Sequence, residues 1–267
     1  MLEGKLNGVP EDCLGGVVFG RGDRGAPIGE PGVWPLPQGT PVSYTLRQPG
    51  ADYSAAGRPG PCRLYALVGK CDDDEGRSTA AWDLGTVSLR RGQPAPDVVL
   101  PGQRGALRVM LNGLPRTSDE GSSVYARLWD AASGRPLGEA HPNTKGIADW
   151  PCLPPGSYRL TLYGSGRATP RPAVCVVAGQ TAELAVGPCQ GVSVDIAIGG
   201  KPDFATVMLA NDAAIVSALI IGGEGRLDDV PPGRYEVWVC DGRGTRRCAP
   251  AIVGSEPLRL ELSAAGK

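Results

Sequence analysis

Histidine, the side chain most often used as a general acid or base near neutral pH, occurs once in the chain, at His141. Nucleophilic catalysis would have to run through that imidazole. Pro142-Asn143 follows it in an apparent loop, no serine or cysteine is marked beside it, and no Gly-x-Ser-x-Gly turn occurs, so it reads as an ordinary surface histidine. The cysteines are Cys13, Cys62, Cys71, Cys152, Cys175, Cys189, Cys240 and Cys248. None forms a Cys-x-x-Cys pair, which removes zinc-ribbon and thioredoxin-like dithiol chemistry. Their even number points to disulfides and an oxidising compartment. The competing reading is that several are small core residues. Cys240 and Cys248 flank Asp241-Gly242-Arg243-Gly244-Thr245-Arg246-Arg247, a hairpin-like stretch. Its ends can bring two Cα atoms to the ~5.5 Å of a disulfide, so this is the candidate pair. Cys62 and Cys71 flank an apolar run that, as one extended strand, separates them by about 27 to 30 Å and forbids a bond between them.

Other motifs carry less chemistry. Gly20-Arg21-Gly22-Asp23-Arg24-Gly25 has the glycine spacing of a dinucleotide loop, but Ala26-Pro27-Ile28-Gly29-Glu30-Pro31 cannot begin the helix whose N-terminus would meet the pyrophosphate. Arg21-Gly22-Asp23 within it is an adhesion tripeptide that arises easily by chance in a chain rich in Gly and Arg. Asp72-Asp73-Asp74-Glu75 lacks the alternation that converges oxygens on calcium, so it and Asp228-Asp229 read as solvated loops. No metal and no cofactor is expected. Trp129, Tyr163 and Trp238 fall at outward positions of strand-like runs and are the candidate ligand-stacking residues, with a polysaccharide as the natural partner; isolated outer-face aromatics also occur without a ligand.

The elements that position these residues follow from composition and alternation. Forty glycines and 26 prolines make up about a quarter of 267 residues, so turns must be frequent, while 41% hydrophobic content is enough to offset the entropy of ordering. Twenty-seven basic and 28 acidic residues leave a net charge of −1, which lacks the footprint of a general nucleic-acid or anionic-membrane binder. No apolar run approaches the ~18 residues of a membrane span. Met1-Leu2-Glu3-Gly4 lacks the basic start and apolar core of a signal peptide, so an exported chain would be a processed piece or use another route.

Internal repeats organise the sequence. Leu107 to Pro115 and Val194 to Pro202 are strand-like runs ending in Gly-x-Pro, and Gly4 to Pro10 is a third copy. Leu153-Pro154-Pro155-Gly156-Ser157-Tyr158-Arg159-Leu160-Thr161-Leu162 matches Val230-Pro231-Pro232-Gly233-Arg234-Tyr235-Glu236-Val237-Trp238-Val239. Proline cannot sit in a central strand and glycine accepts a tight turn, so each Pro-Pro-Gly punctuates two strands. After it Tyr158, Leu160 and Leu162 point one way and Arg159 and Thr161 the other, the period of a half-buried antiparallel strand. Val98 to Leu100, Leu184 to Val186 and Leu258 to Leu262 close the three copies. Phe204 to Ile221 has the length and alanine content of a helix, but the strand-like Val124 to Trp129 in the preceding copy and the turn signal at Asn211-Asp212 predict two strands. The whole is therefore predicted to be all-β, a tandem of antiparallel β-sandwiches spanning 1–102, 103–188 and 189–267, with linkers near Pro101–Gln103 and Pro188–Gln190 and an exposed loop over Gln48–Pro61.

A strand with Gly-x-Pro, a variable hairpin, Leu-Pro-Pro-Gly-x-Tyr and two closing strands resembles the carboxypeptidase-regulatory-like, transthyretin-like β-sandwich module, chiefly from Gln103 to Leu262. The resemblance implies an accessory, structural or adhesive unit of a larger secreted or surface protein, with no enzyme activity. Related hydrolases of a urate derivative use several histidines, against one here, and the Lys–Asn crosslink of collagen-adhesin-type repeats has a strand lysine in Lys5 but no asparagine in the closing strands. The expected function is a non-catalytic structural or adhesive module of an exported or cell-surface assembly, in an extracellular, periplasmic or surface location. The alternatives are a carbohydrate- or peptide-binding accessory module, or a structural component of a phage-like or secretion-system particle. Expected partners are a protein or polysaccharide and the rest of the assembly, with no nucleic acid.

Overall fold

The computed structural model describes residues 2–7, 13–20, 42–46, 60–72, 76–89, 98–114, 124–242 and 244–263, and each regular element among them is a β-strand. A first group contains β1 (Leu2–Asn7), β2 (Leu14–Gly20), β3 (Val42–Leu46), β4 (Gly60–Asp72), β5 (Gly76–Leu89) and β6 (Val98–Val99). A second contains β7 (Gly105–Leu111), β8 (Tyr125–Asp130), β9 (Pro136–His141), β10 (Ile147–Leu153), β11 (Gly156–Tyr163), β12 (Thr169–Pro170), β13 (Ala173–Val176) and β14 (Thr181–Val186). A third contains β15 (Val192–Ile198), β16 (Phe204–Ala210), β17 (Ala214–Ile221), β18 (Glu224–Val230), β19 (Gly233–Asp241), β20 (Gly244–Arg247), β21 (Ala251–Val253) and β22 (Leu258–Leu262). No helix among the described residues is long and apolar enough to cross a membrane.

One wiring rule recurs in all three groups. The opening strand lies parallel to the closing strand, as β1–β6, β7–β14 and β15–β22, and antiparallel to an inner strand, as β1–β3, β7–β10 and β15–β18. The other strands form the facing layer, ordered β5-β4-β2 in the first group, β13-β11-β8-β9 in the second and β19-β16-β17 at the heart of the third. In the third group the layers are joined, because Gly222 and Gly223 (φ 66° and 80°) make a two-residue turn that keeps β17 bonded to β18. A side chain at Gly223 would place its Cβ 2.8 Å from the Lys201 Cα.

Alternation builds the cores. Leu107, Val109 and Leu111 of β7 are buried while Arg108 and Met110 face outward, and Val194, Ile196 and Ile198 repeat the pattern in β15. Trp150, Leu128, Leu153 and Leu160 fill the second core, and Leu209, Ile220 and Tyr235 fill the third. Each such side chain removed from water contributes roughly 1.5 to 3 kcal/mol. Phe204 to Ile221 is two strands as the turn signal predicts, and Asn211 Oδ1 accepts the N–H groups of Ala213 (2.9 Å) and Ala214 (2.8 Å) to shape the turn.

The Pro-Pro-Gly-x-Tyr motif does more than punctuate. Its tyrosine is buried and donates its hydroxyl to the carbonyl of the first proline four residues back, Tyr158 to Pro154 and Tyr235 to Pro231 (2.9 Å). A proline-held turn is thus tied to the strand that leaves it. Burial pushes the Tyr158 phenol pKa up, with the charges of Asp130 and Cys175 adding to the shift, so this donor keeps its proton.

The groups are also stitched to one another. Residues 77–80 of β5 pair antiparallel with 138–141 of β9, so the facing layers of the first and second groups form one sheet, β13-β11-β8-β9-β5-β4-β2. After β11 the chain crosses to the third group, where β12 pairs antiparallel with the start of β17 (Thr169 with Ile215). That crossing is pinned throughout: Gly164 N–H bonds Ser217 Oγ (2.8 Å), Gly166 N–H bonds Ser217 O (3.0 Å) and Arg171 N–H bonds Ala213 O (3.0 Å).

Candidate functional site

Two of the three stacking candidates lie together. Tyr125, Arg127 and Trp129 alternate outward from β8, with Tyr163 and Thr161 beside them on β11 and Glu139 and His141 on β9. Tyr125 and Tyr163 stack with centroids 5.1 Å apart, and His141 lies against Tyr125 at 5.8 Å. The Arg127 guanidinium sits 5.7 Å from Tyr125 and Trp129 and 5.5 Å from Tyr163. Its Nε donates to Glu139 Oε1 at 2.7 Å, and an Nη bonds the same oxygen. Burial opposes the charge on Arg127, but the hydrogen bond and charge of Glu139 outweigh it and raise the guanidinium pKa. Trp129 Nε1 donates to Thr161 Oγ1 (2.8 Å). Thr161, expected on an open outer face, is buried as a result.

The arrangement is a cation sandwiched by aromatic faces and closed by a carboxylate, each cation–π contact contributing about 0.5 to 2 kcal/mol. Tyr125 and Tyr163 stack on each other, and Arg127 lies beside all three rings. The alternation of Tyr125, Arg127 and Trp129 was visible in the sequence, but Glu139 and His141 join them only because β9 pairs with β8. His141, expected in a surface loop, is instead the last residue of β9 and half-buried. Burial lowers its pKa, the charge of Glu139 raising it and that of Arg77 lowering it further.

Trp238 lies on a different sheet, at an outward position of β19, with Arg247 of β20 5.8 Å from its ring. Arg247 also pairs with Glu236 at 2.5 Å. Near this point Arg171, Asn211, Asp212, Arg234, Glu236 and Arg247 line an open cleft of about 450 Å³.

The structure does not bring Cys240 and Cys248 together. Cys240 opposes Thr245 and is exposed on the outer face, whereas Cys248 opposes Val237 and packs against the third core, so the two thiols lie on opposite faces of the sheet and are unbonded. Cys62 and Cys71 occupy one continuous strand, β4, as their spacing requires. Asp228 and Asp229, read as a solvated loop, belong to β18; Asp228 pairs with Arg226 at 2.8 Å and Asp229 with Arg167 at 2.5 Å. Arg167 also donates to Gly113 O (2.7 Å), which ties the crossing segment to both groups. Residues 21–25, 73–75 and most of 47–61 lie outside the described residues, as do the glycine-spaced and Arg-Gly-Asp stretches they hold.

No protein-family model and no curated protein matches the chain. Among solved structures, the Bacillus anthracis TIE protein is similar at a TM-score of 0.25 and 14% identity over 77% of this chain, which spans 43% of its length. A streptococcal ancillary pilin is similar at 0.22 and 10% identity, over 79% of this chain and 76% of its own. BcpA, the major pilin subunit of Bacillus cereus, is similar at 0.19 and 11% identity over 99% of both chains. Overlaps at this level carry no argument.

Proposed function

We propose that this chain is a non-catalytic structural or adhesive module of an exported or cell-surface assembly, built from three β-sandwich units over 1–102, 103–188 and 189–267. The observation that carries the reading is the stitching between groups: β5 extends the sheet of the second group, and the crossing from 164 to 172 is bonded along its length to the third. Chains that only tether sites to one another use solvated linkers, whereas hydrogen-bonded crossings hold one group at a fixed angle to the next. The aromatic–guanidinium cluster fits that role as an internal brace, since Arg127 bonds Glu139 and Trp129 bonds Thr161 across neighbouring strands of one sheet.

A second reading, a carbohydrate- or peptide-binding accessory module, is favoured by one observation, the cleft bounded by Arg171, Arg234 and Arg247 close to Trp238. The experiment that decides is labelling of intact native-host cells with a membrane-impermeant amine reagent, followed by fractionation. Labelled protein in the envelope or a shed assembly is the expected result. Protein shielded from the reagent until lysis would contradict the surface role.

A further inference from the structure

We infer that the cleft on the outer face of β16 and β19 binds a carboxylate-bearing sugar, and so takes an acidic polysaccharide of the uronate class. This deepens the carbohydrate-binding reading above, and rests on it, by naming the ligand.

The cleft exists because one position changes between the two copies of the motif. Aligned on Pro-Pro-Gly-x-Tyr, Arg159 of β11 corresponds to Glu236 of β19, and Thr161 to Trp238. Arg159 opposes Trp129 on β8, and Glu236 opposes Ala210 on β16. Ala210 therefore stands where the second group has Trp129, the ring that bonds Thr161 and borders Arg127. By the same registers Met208 takes the place of Arg127, so β16 supplies no guanidinium to brace this face. Ala210 lines the resulting cleft of about 450 Å³, inside the ~300 to 1,000 Å³ typical of small-molecule sites.

The lining suits a carboxylate set among hydroxyls. Arg171 enters from the crossing segment and Arg234 from the start of β19, and among the described residues neither forms an ion pair with an acid. Arg171 Nη1 donates to Asn211 O (2.8 Å), while its Nε is buried with no acceptor among the described residues, a donor that costs stability until an acceptor reaches it. Guanidinium forks match a planar carboxylate two bonds at a time. Of the two acids in the lining, Glu236 is already paired with Arg247 at 2.5 Å, and Asp212, exposed on the turn between β16 and β17, can accept a sugar hydroxyl. Trp238 lies two residues beyond Glu236 on the same face and 5.8 Å from the Arg247 guanidinium, so it borders the cleft with a flat apolar ring for the C–H face of a pyranose. A peptide is the weaker fit. Both β16 and β19 lie inside the sheet with strands bonded on either side, so recognition here must come from side chains and not from strand addition to an edge.

NMR titration of the full chain with oligogalacturonate and with oligomannuronate, two uronates of different ring stereochemistry, tests the inference. The Ala210 amide, the Trp238 indole N–H and the Arg234 Nε–H are expected to shift to saturation with at least one of them, less tightly as salt is raised. Arg234→Gln should weaken that binding at least about tenfold, and Ala210→Trp, which refills the space as the second group does, should abolish it. Arg234 is exposed and outside any ion pair among the described residues, so its variant reports even where Ala210→Trp lowers the melting curve. The methyl ester of the same oligomer keeps every ring and removes the charge, and should bind at least about tenfold more weakly than the acid. A methyl ester that binds as tightly as the acid, or Arg234→Gln chains that bind as the wild type does, would overturn the inference. A neutral glucan oligomer or an oligoglutamate peptide that shifts these signals while both uronates leave them unmoved would also overturn it, and leave an accessory binding module standing. Signals indifferent to every probe would remove both the acidic-sugar site and the accessory reading, with the structural role untouched.

Discussion

At the scale of single residues, the motif tyrosines do more than fill the core. Tyr158 and Tyr235 each bury a ring and close a turn through one hydroxyl. Replacing either by Phe keeps the ring but strips a proline carbonyl of its partner, and is expected to cost about 1 to 2 kcal/mol, read as a lower midpoint in denaturant with unchanged slope. His141 carries the pH dependence. Burial lowers its pKa from the usual 6.5, so the unfolded chain binds the proton more readily than the folded one. Its contribution is therefore whole above that value and is lost as pH falls through it. Melting curves at about pH 7.5 and 5.5, a window above most carboxylate titrations, should show a loss of stability on acidification that His141→Gln reduces. An equal loss in the variant would place the titration elsewhere.

At the scale of elements, what was legible depended on whether the cause was local. The strands after each Pro-Pro-Gly could be read because alternation and turn chemistry are written in consecutive residues, and the Asn211 turn because its side chain bonds its own backbone. The parallel pairing of opening and closing strands was not legible, since it joins residues 64 to 92 positions apart, such as Val194 and Leu258 or Leu6 and Val98. The cysteines show the same limit. One simple hairpin would bring Cys240 and Cys248 together, but β20 ends at Arg247 and the ladder sends Cys248 to the core side while Cys240 stays outside. Of the aromatic candidates, Trp129 and Tyr163 both border Arg127 because β8 and β11 are neighbours, and Trp238 stands apart because its strand, β19, lies in another sheet. Arg127, which borders the first two, has no local signature, since a strand arginine with alternating neighbours looks like any solvated face. Asp229 reads as solvated in the sequence because its partner Arg167 lies 62 positions away.

At the scale of the whole molecule, three groups with one wiring rule are held by strand pairing at both crossings, which makes orientation between groups a property of the fold. A chain of this kind transmits position along its length, the behaviour expected of a structural part of an assembly. Residual dipolar couplings measured on backbone amides of the second and third groups in a dilute aligned medium test that claim most directly. The stitched crossing predicts that a single alignment tensor fits both groups. Two tensors of different magnitude would mean that the groups reorient independently, and would contradict a fixed array.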